Sequence, residues 1–119
     1  MTSIDTGKIV RNGGMILQGR DPLPRLLAQL MERAGAPATV ERATSRPWAS
    51  ALFQGRRHVI ALTLAGPDAA GRRARFVEGI EEAEWSLNGH FVADISVDAC
   101  RSGYREEMIE LSALTIEDW

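Results

Sequence analysis

The sequence predicts an α+β fold: a two-layer, mainly antiparallel sheet of about five strands with two helices on one face. Three observations carry that expectation. "DPLPRLLAQLMERAGAP" repeats its apolar residues at a helical period. From Ala38 the period drops to two, in runs punctuated by Pro, Gly and Asn. A second helical pattern, "GPDAAGRRARFVEGI", divides those runs, so the expected order is α-β-β-α-β-β-β.

At 119 residues the chain fits one domain. Residues 1–20 are weakly patterned. "KIV", "RNGG" and "MIL" read as an N-terminal arm or a short hairpin around Asn12-Gly13. Residues 21–119 then form the single α+β domain.

Asp21 is placed to cap the first helix, and Pro22 at its first position loses no hydrogen bond. Leu23, Leu26, Leu27, Leu30, Met31 and Ala34 follow at i, i+3, i+4, i+7, i+8 and i+11, one apolar stripe. Gly35 supplies a left-handed stop and Pro37 prevents continuation.

"ATVERATSRPWASALFQ" reads as extended, with Pro47 marking an edge strand or a kink. Gly55-Arg56 has the signature of a two-residue turn. That turn sets Phe53 opposite His58, Ala51 opposite Ile60 and Ala49 opposite Leu62. The small alanines leave room for a helix on that face. Trp48, Leu52 and Val59 fall on the other face.

In the second helix Asp68 is the expected cap. Ala69, Arg73, Phe76, Val77 and Ile80 share its inner side, and its arginines lie mostly on the exposed flank. Ala83, Trp85 and Leu87 then alternate with Glu84 and Ser86 as a strand. A loop of Asn88, Gly89 and His90 sets Leu87 against Phe91 and Trp85 against Ala93. It leaves His90 at an exposed tip, and Phe91, Ala93, Ile95 and Val97 on one face. A turn around Ser102-Gly103 leads to a last strand, Glu106–Ile116. Its apolar phase changes after Ala113, which reads as a bulge or bend. The order is compatible with an αββ unit used twice, in which case Trp48 matches Trp85 and His58 matches His90.

Composition narrows function more than it names one. Apolar residues at 45% and charged residues at 25% describe an ordinary globular chain. No apolar run has the roughly 20 residues of a membrane helix, and the N-terminus lacks the order of a secretory signal. With Cys100 the single cysteine, a cytoplasmic location is expected. The excess of Arg over Lys, 13 to 1, fits the base composition of a GC-rich bacterial genome. Residues 1–76 carry a balance of +7 and residues 77–119 a balance of −9. Halves that nearly cancel point to mutual neutralisation, within the fold or across a symmetric dimer, rather than to an outside polyanion.

The chemical motifs are sparse. The two histidines and one cysteine lack the spacing of a zinc site, so no metal or cofactor is expected. There is no nucleophile elbow, and "RNGG" and "AAGRRAR" do not fit a phosphate loop. Cys100 reads as a partly buried, inert thiol. His58, on the core face at a strand end, is the residue to watch for a small-molecule pocket or an enzyme. Arg56, Arg57, Arg72, Arg73 and Arg75 form a candidate anion patch, but lack the interleaved aromatics that nucleic acid requires. The strongest expectation concerns association. If helices cover one face, Trp48, Leu52 and Val59 make an exposed apolar patch suited to a partner, a homodimer first of all. The expected function is therefore that of a non-enzymatic domain acting through protein contacts.

Overall fold

The computed structural model describes residues 21–118. Its elements are α1 (Leu23–Ala34), β1 (Ala38–Ala49), β2 (Gln54–Ala65), α2 (Ala69–Val77), a 3₁₀ turn at Ile80–Glu82, β3 (His90–Gly103) and β4 (Glu106–Glu117). The α+β class holds, with one antiparallel sheet of four strands rather than five, in the order β1-β2-β4-β3. The arm or hairpin expected over residues 1–20 lies outside the described residues, as does Trp119.

In α1 the stripe behaves as its spacing dictates. Leu26, Leu30 and Ala34 are buried, with Leu23, Leu27 and Met31 packed alongside. The cap falls one place later than expected, at Pro22, and Pro24 also sits in the first turn, where neither proline's missing amide is needed. Asp21 still serves this end, its Oδ1 accepting the Leu23 amide at 3.0 Å. Gly35, at φ 77, closes the helix through its amide to the Met31 carbonyl.

The order helix–hairpin, helix–hairpin is one αββ unit used twice, joined through β2 and β4 at the centre of the sheet. In this topology β4 corresponds to β2 and β3 to β1. The counterpart of His58 therefore lies on the helix-facing side of β4, with Ile109, Leu111 and Ala113, while His90 opens β3 as Ala38 opens β1. The expected pairing of the two histidines, and of Trp48 with Trp85, does not hold.

Two turns differ from expectation, each for a local reason. The first hairpin turns at Ser50–Phe53, where the Ser50 amide donates to the Phe53 carbonyl at 2.8 Å and Ser50 Oγ accepts the Phe53 amide at 3.2 Å. Gly55 is instead inside β2, between Trp48 and Ile116. A Cβ there would lie 1.9 Å from the Thr115 carbonyl oxygen, so glycine is set by the approach of two backbones. The register moves accordingly: His58 faces Ser45, Ile60 faces Ala43 and Leu62 faces Val40. The second hairpin turns at Tyr104-Arg105, two residues beyond Ser102-Gly103.

The missing fifth strand has a physical substitute. Residues 83–87 lie beside α1, where the Gln29 carboxamide donates to the Ser86 carbonyl at 2.8 Å and accepts its amide at 2.9 Å. One side chain thus supplies the two backbone bonds that a strand neighbour would give. Trp85 and Leu87 pack against the core from there.

That core lies between the helices and one sheet face: Ile60, Leu62 and Leu64 from β2, Ile109, Leu111 and Ala113 from β4, and Ile95 from β3, under Leu26, Leu30 and Phe76. In β3 the register shifts between Val92 and Asp94, and again between Val97 and Ala99. The first bulge lets both Val92 and Ile95 join the core and leaves Phe91 on the opposite face, which overturns the expected alternation. By contrast β4 pairs with β2 without a shift from Glu106 to Ile116. The phase change after Ala113 is thus no bulge. Leu114 and Ile116 point away from the helices.

Arg72 also departs from expectation. It is buried, with its guanidinium donating to the carbonyls of Ala34 at 3.1 Å, Pro37 at 3.3 Å and Ala65. It ties the end of α1, the start of β1 and the end of β2 into one corner. Its Nε lies 3.2 Å from Asp68, whose carboxylate makes this contact rather than a cap bond to α2. The basic and acidic halves lie side by side in the sheet. Arg73 meets Glu107 at 2.8 Å and Arg42 meets Glu110 at 4.0 Å across that divide.

Candidate functional site

Both helices cover the face that carries Ile60, Leu62 and Leu64, so alternate residues of the same strands make a helix-free face. The pairings order that face in rows running β1, β2, β4, β3. One row is Trp48, Gly55, Ile116, Phe91 and the next is Arg46, Arg57, Leu114, Asp94. Thr44, Val59, Ser112 and Ser96 follow, then Arg42, Ala61, Glu110 and Ala99.

Trp48 and Val59 therefore share a face, as the sequence predicts, though through a different register. Leu52 is on the hairpin tip beyond that face and 85% exposed. Val59 is 40% and Phe91 43% exposed, while Trp48 is half-buried. Leu114 and Ile116 lie between them, nearly buried, so apolar side chains continue across the first two rows. Sequence reasoning missed Phe91, Leu114 and Ile116 as members of this surface. The phase change in β4 was the signal that could have found the last two.

Charge on the face is divided. The β1–β2 half carries Arg42, Arg46 and Arg57. The β4–β3 half carries Glu106, Glu110, Asp94 and Asp98, with Arg101 the exception. Glu110 near the middle lies within 4.0 Å of Arg42 and 3.9 Å of Arg101. Ser96 and Ser112 both direct their hydroxyls at Asp98 Oδ1, at 3.5 and 3.4 Å.

On the covered face His58 is fully buried and bridges three strands. Its Nδ1 lies 2.6 Å from Ser45 Oγ and its Nε2 lies 2.9 Å from Thr115 Oγ1. Thr115 donates its own hydroxyl proton to the Arg56 carbonyl at 3.4 Å. Thr115 Oγ1 is then the acceptor for Nε2–H, which leaves Nδ1 to accept the Ser45 proton. Burial pushes the His58 pKa down from 6.5 to about 4. That value includes a raising influence from Asp21 and smaller lowering ones from Arg56 and His90. A hydroxyl on a neutral imidazole has the outline of an activated nucleophile. Here the far nitrogen meets a hydroxyl in place of the carboxylate that orients such a base, and an imidazole of this low basicity is poorly matched to proton transfer near pH 7. The geometry satisfies a buried ring.

His90 is buried at the start of β3, 3.3 Å from the Asn88 carbonyl through Nδ1, rather than exposed at a tip. The exposed thiol of Cys100 also differs from its expected partial burial.

The five arginines of the candidate anion patch do not meet. Arg72 bonds the carbonyl of Ala65, nine residues along β2 from Arg56, or roughly 30 Å at about 3.3 Å per residue. Arg73 is engaged by Glu107, Arg75 is exposed on α2, Arg56 is on the helix side and Arg57 on the free face. A shallow groove of about 360 Å³ lies between the 3₁₀ turn and β3, lined by Val77, Gly79, Ile80, Glu81, Glu82 and Val97. None of its lining residues belongs to the His58 network. Among the described residues no three His, Cys, Asp or Glu side chains converge as a metal site. Nor is any described helix long and apolar enough to cross a membrane.

No family model, curated protein or solved structure matches the chain.

Proposed function

We propose that this protein works by self-association, a non-catalytic domain whose helix-free sheet face binds a second copy of the chain. The observation that supports the reading is the exposure of Val59 and Phe91, with Trp48, on a face that neither helix covers. Apolar side chains grouped in this way gain free energy when removed from water, by about 25 cal/mol per Å². The size of the face also suits a dimer. Four strands at about 4.8 Å spacing and twelve residues at about 3.3 Å give roughly 750 Å² per copy, near the roughly 800 Å² of a stable interface.

Sedimentation across the micromolar range tests the reading. The expected result is a dimer that Val59→Asp converts to a monomer of unchanged circular dichroism, since Val59 is not part of the core. A wild-type chain that stays monomeric at high micromolar concentration overturns it.

A further inference from the structure

We infer that the two copies pack face to face across a two-fold axis parallel to the strands, bringing Arg46 against the partner's Asp94 and Trp48 against the partner's Phe91. The inference rests on the self-association reading above and adds its symmetry and contacts.

A two-fold interface must be complementary to itself. Two in-plane axes can bring the helix-free face onto a copy of itself. An axis perpendicular to the strands lays β1 over the partner's β1. That sets Arg42 and Arg46 above the same basic strand, and the carboxylates of Glu106 and Glu110 above another acidic one. An axis parallel to the strands, between β2 and β4, keeps each row at its own level and reverses it. The basic half then covers the partner's acidic half.

Each row can be followed across that axis. In the second row Arg46 comes over the partner's Asp94, and Arg57 over the partner's Leu114. In the first row Trp48 comes over the partner's Phe91, and Gly55 over the partner's Ile116. In the third row Thr44 meets the partner's Ser96 and Val59 meets the partner's Ser112. No row places like charges opposite each other. Within one chain Arg46 and Asp94 cannot serve each other, because β2 and β4 separate their strands by about 14 Å. None of the ion pairs among the described residues involves either side chain. Stacked sheets cross at roughly 30°, which shifts the outermost contacts by less than the reach of an arginine.

Charge reversal reads this symmetry directly. Arg46→Asp and Asp94→Arg are both exposed substitutions that leave the core untouched. Each alone sets two like-charge contacts in its homodimer, and each is expected to weaken the dimer by about tenfold or more. Mixed in equal amounts they restore both contacts in a heterodimer. Sedimentation of the mixture is expected to recover wild-type association, and mass spectrometry to find the heterodimer well above the statistical half of all dimers. Arg75→Asp, on the helix side, is expected to leave association unchanged. A dimer indifferent to both reversals, or tightened by Arg46→Asp, overturns the parallel axis while leaving self-association standing. A monomeric wild type removes both.

Discussion

The two faces of β2 differ sharply in their exposure. Toward the helices it presents His58, Ile60, Leu62 and Leu64, none of them reached by solvent. Toward the free side it presents Arg57, Val59, Ala61 and Thr63, of which only Ala61 is buried. The backbone is the same, and each face is half apolar or more. What separates them is the cover: α1 and α2 both lie on one side. Apolar content on a strand therefore does not say where the core is. The partner layer does.

The largest expected effect sharpens that contrast. Leu62→Ala removes a fully buried side chain from the covered face and should cost about 3 kcal/mol in urea unfolding. Val59→Ala, three residues earlier on the same strand but on the free face, should cost less than about 1 kcal/mol in the monomer. Equal losses would show that the two faces are equally buried in solution, and the contrast would fail.

Acid probes the covered face through His58. Its folded-state pKa is depressed, so the folded ring stays neutral while the unfolded ring takes up a proton below pH 6.5. Stability is complete above that value and is lost as pH falls toward about 4. The loss amounts to about 3 kcal/mol from this one group. Chemical denaturation at pH 7.5 and pH 4.5 measures it. In His58→Gln, which keeps polar contacts but cannot titrate, the difference between the two conditions should shrink by most of that amount. An unchanged difference would place the acid sensitivity elsewhere.

A smaller effect tests whether the imidazole network matters to the covered face. Ser45→Ala leaves the buried Nδ1 without its donor and should cost about 1 kcal/mol. Calorimetric melting at neutral pH would detect it, and no loss would mean that another donor reaches the ring.

Much of the architecture was legible because it depends on short-range periodicity. The stripe from Leu23 to Ala34, stopped by Gly35, needs no knowledge of the rest of the chain. Neither does the alternation of Ile109, Leu111 and Ala113. The segment at Trp85 misled because alternation over five residues is equally consistent with an edge strand and with a loop pinned by a distant Gln29. Gly55 misled for a related reason. A glycine suits a turn through its freedom at φ, and suits a strand centre through its missing Cβ. Only the Thr115 carbonyl, which lies where a Cβ would be, separates the two uses. The candidate site was half visible. Trp48 and Val59 were placed on one face, while Phe91 was hidden by the bulge that reverses β3.

By itself the sequence determined the class of fold, both helices, the four strands that survive, and the division of charge between the halves of the chain. The charge division is read from composition, and the others follow from residue types within about ten positions, the distance over which helical and extended periods express themselves. Tertiary structure alone decided which strands are neighbours and that Arg72 is a buried tie rather than a surface charge. Those outcomes depend on groups far apart in the chain meeting in space. Chain closure and packing select that meeting, and no local pattern encodes it.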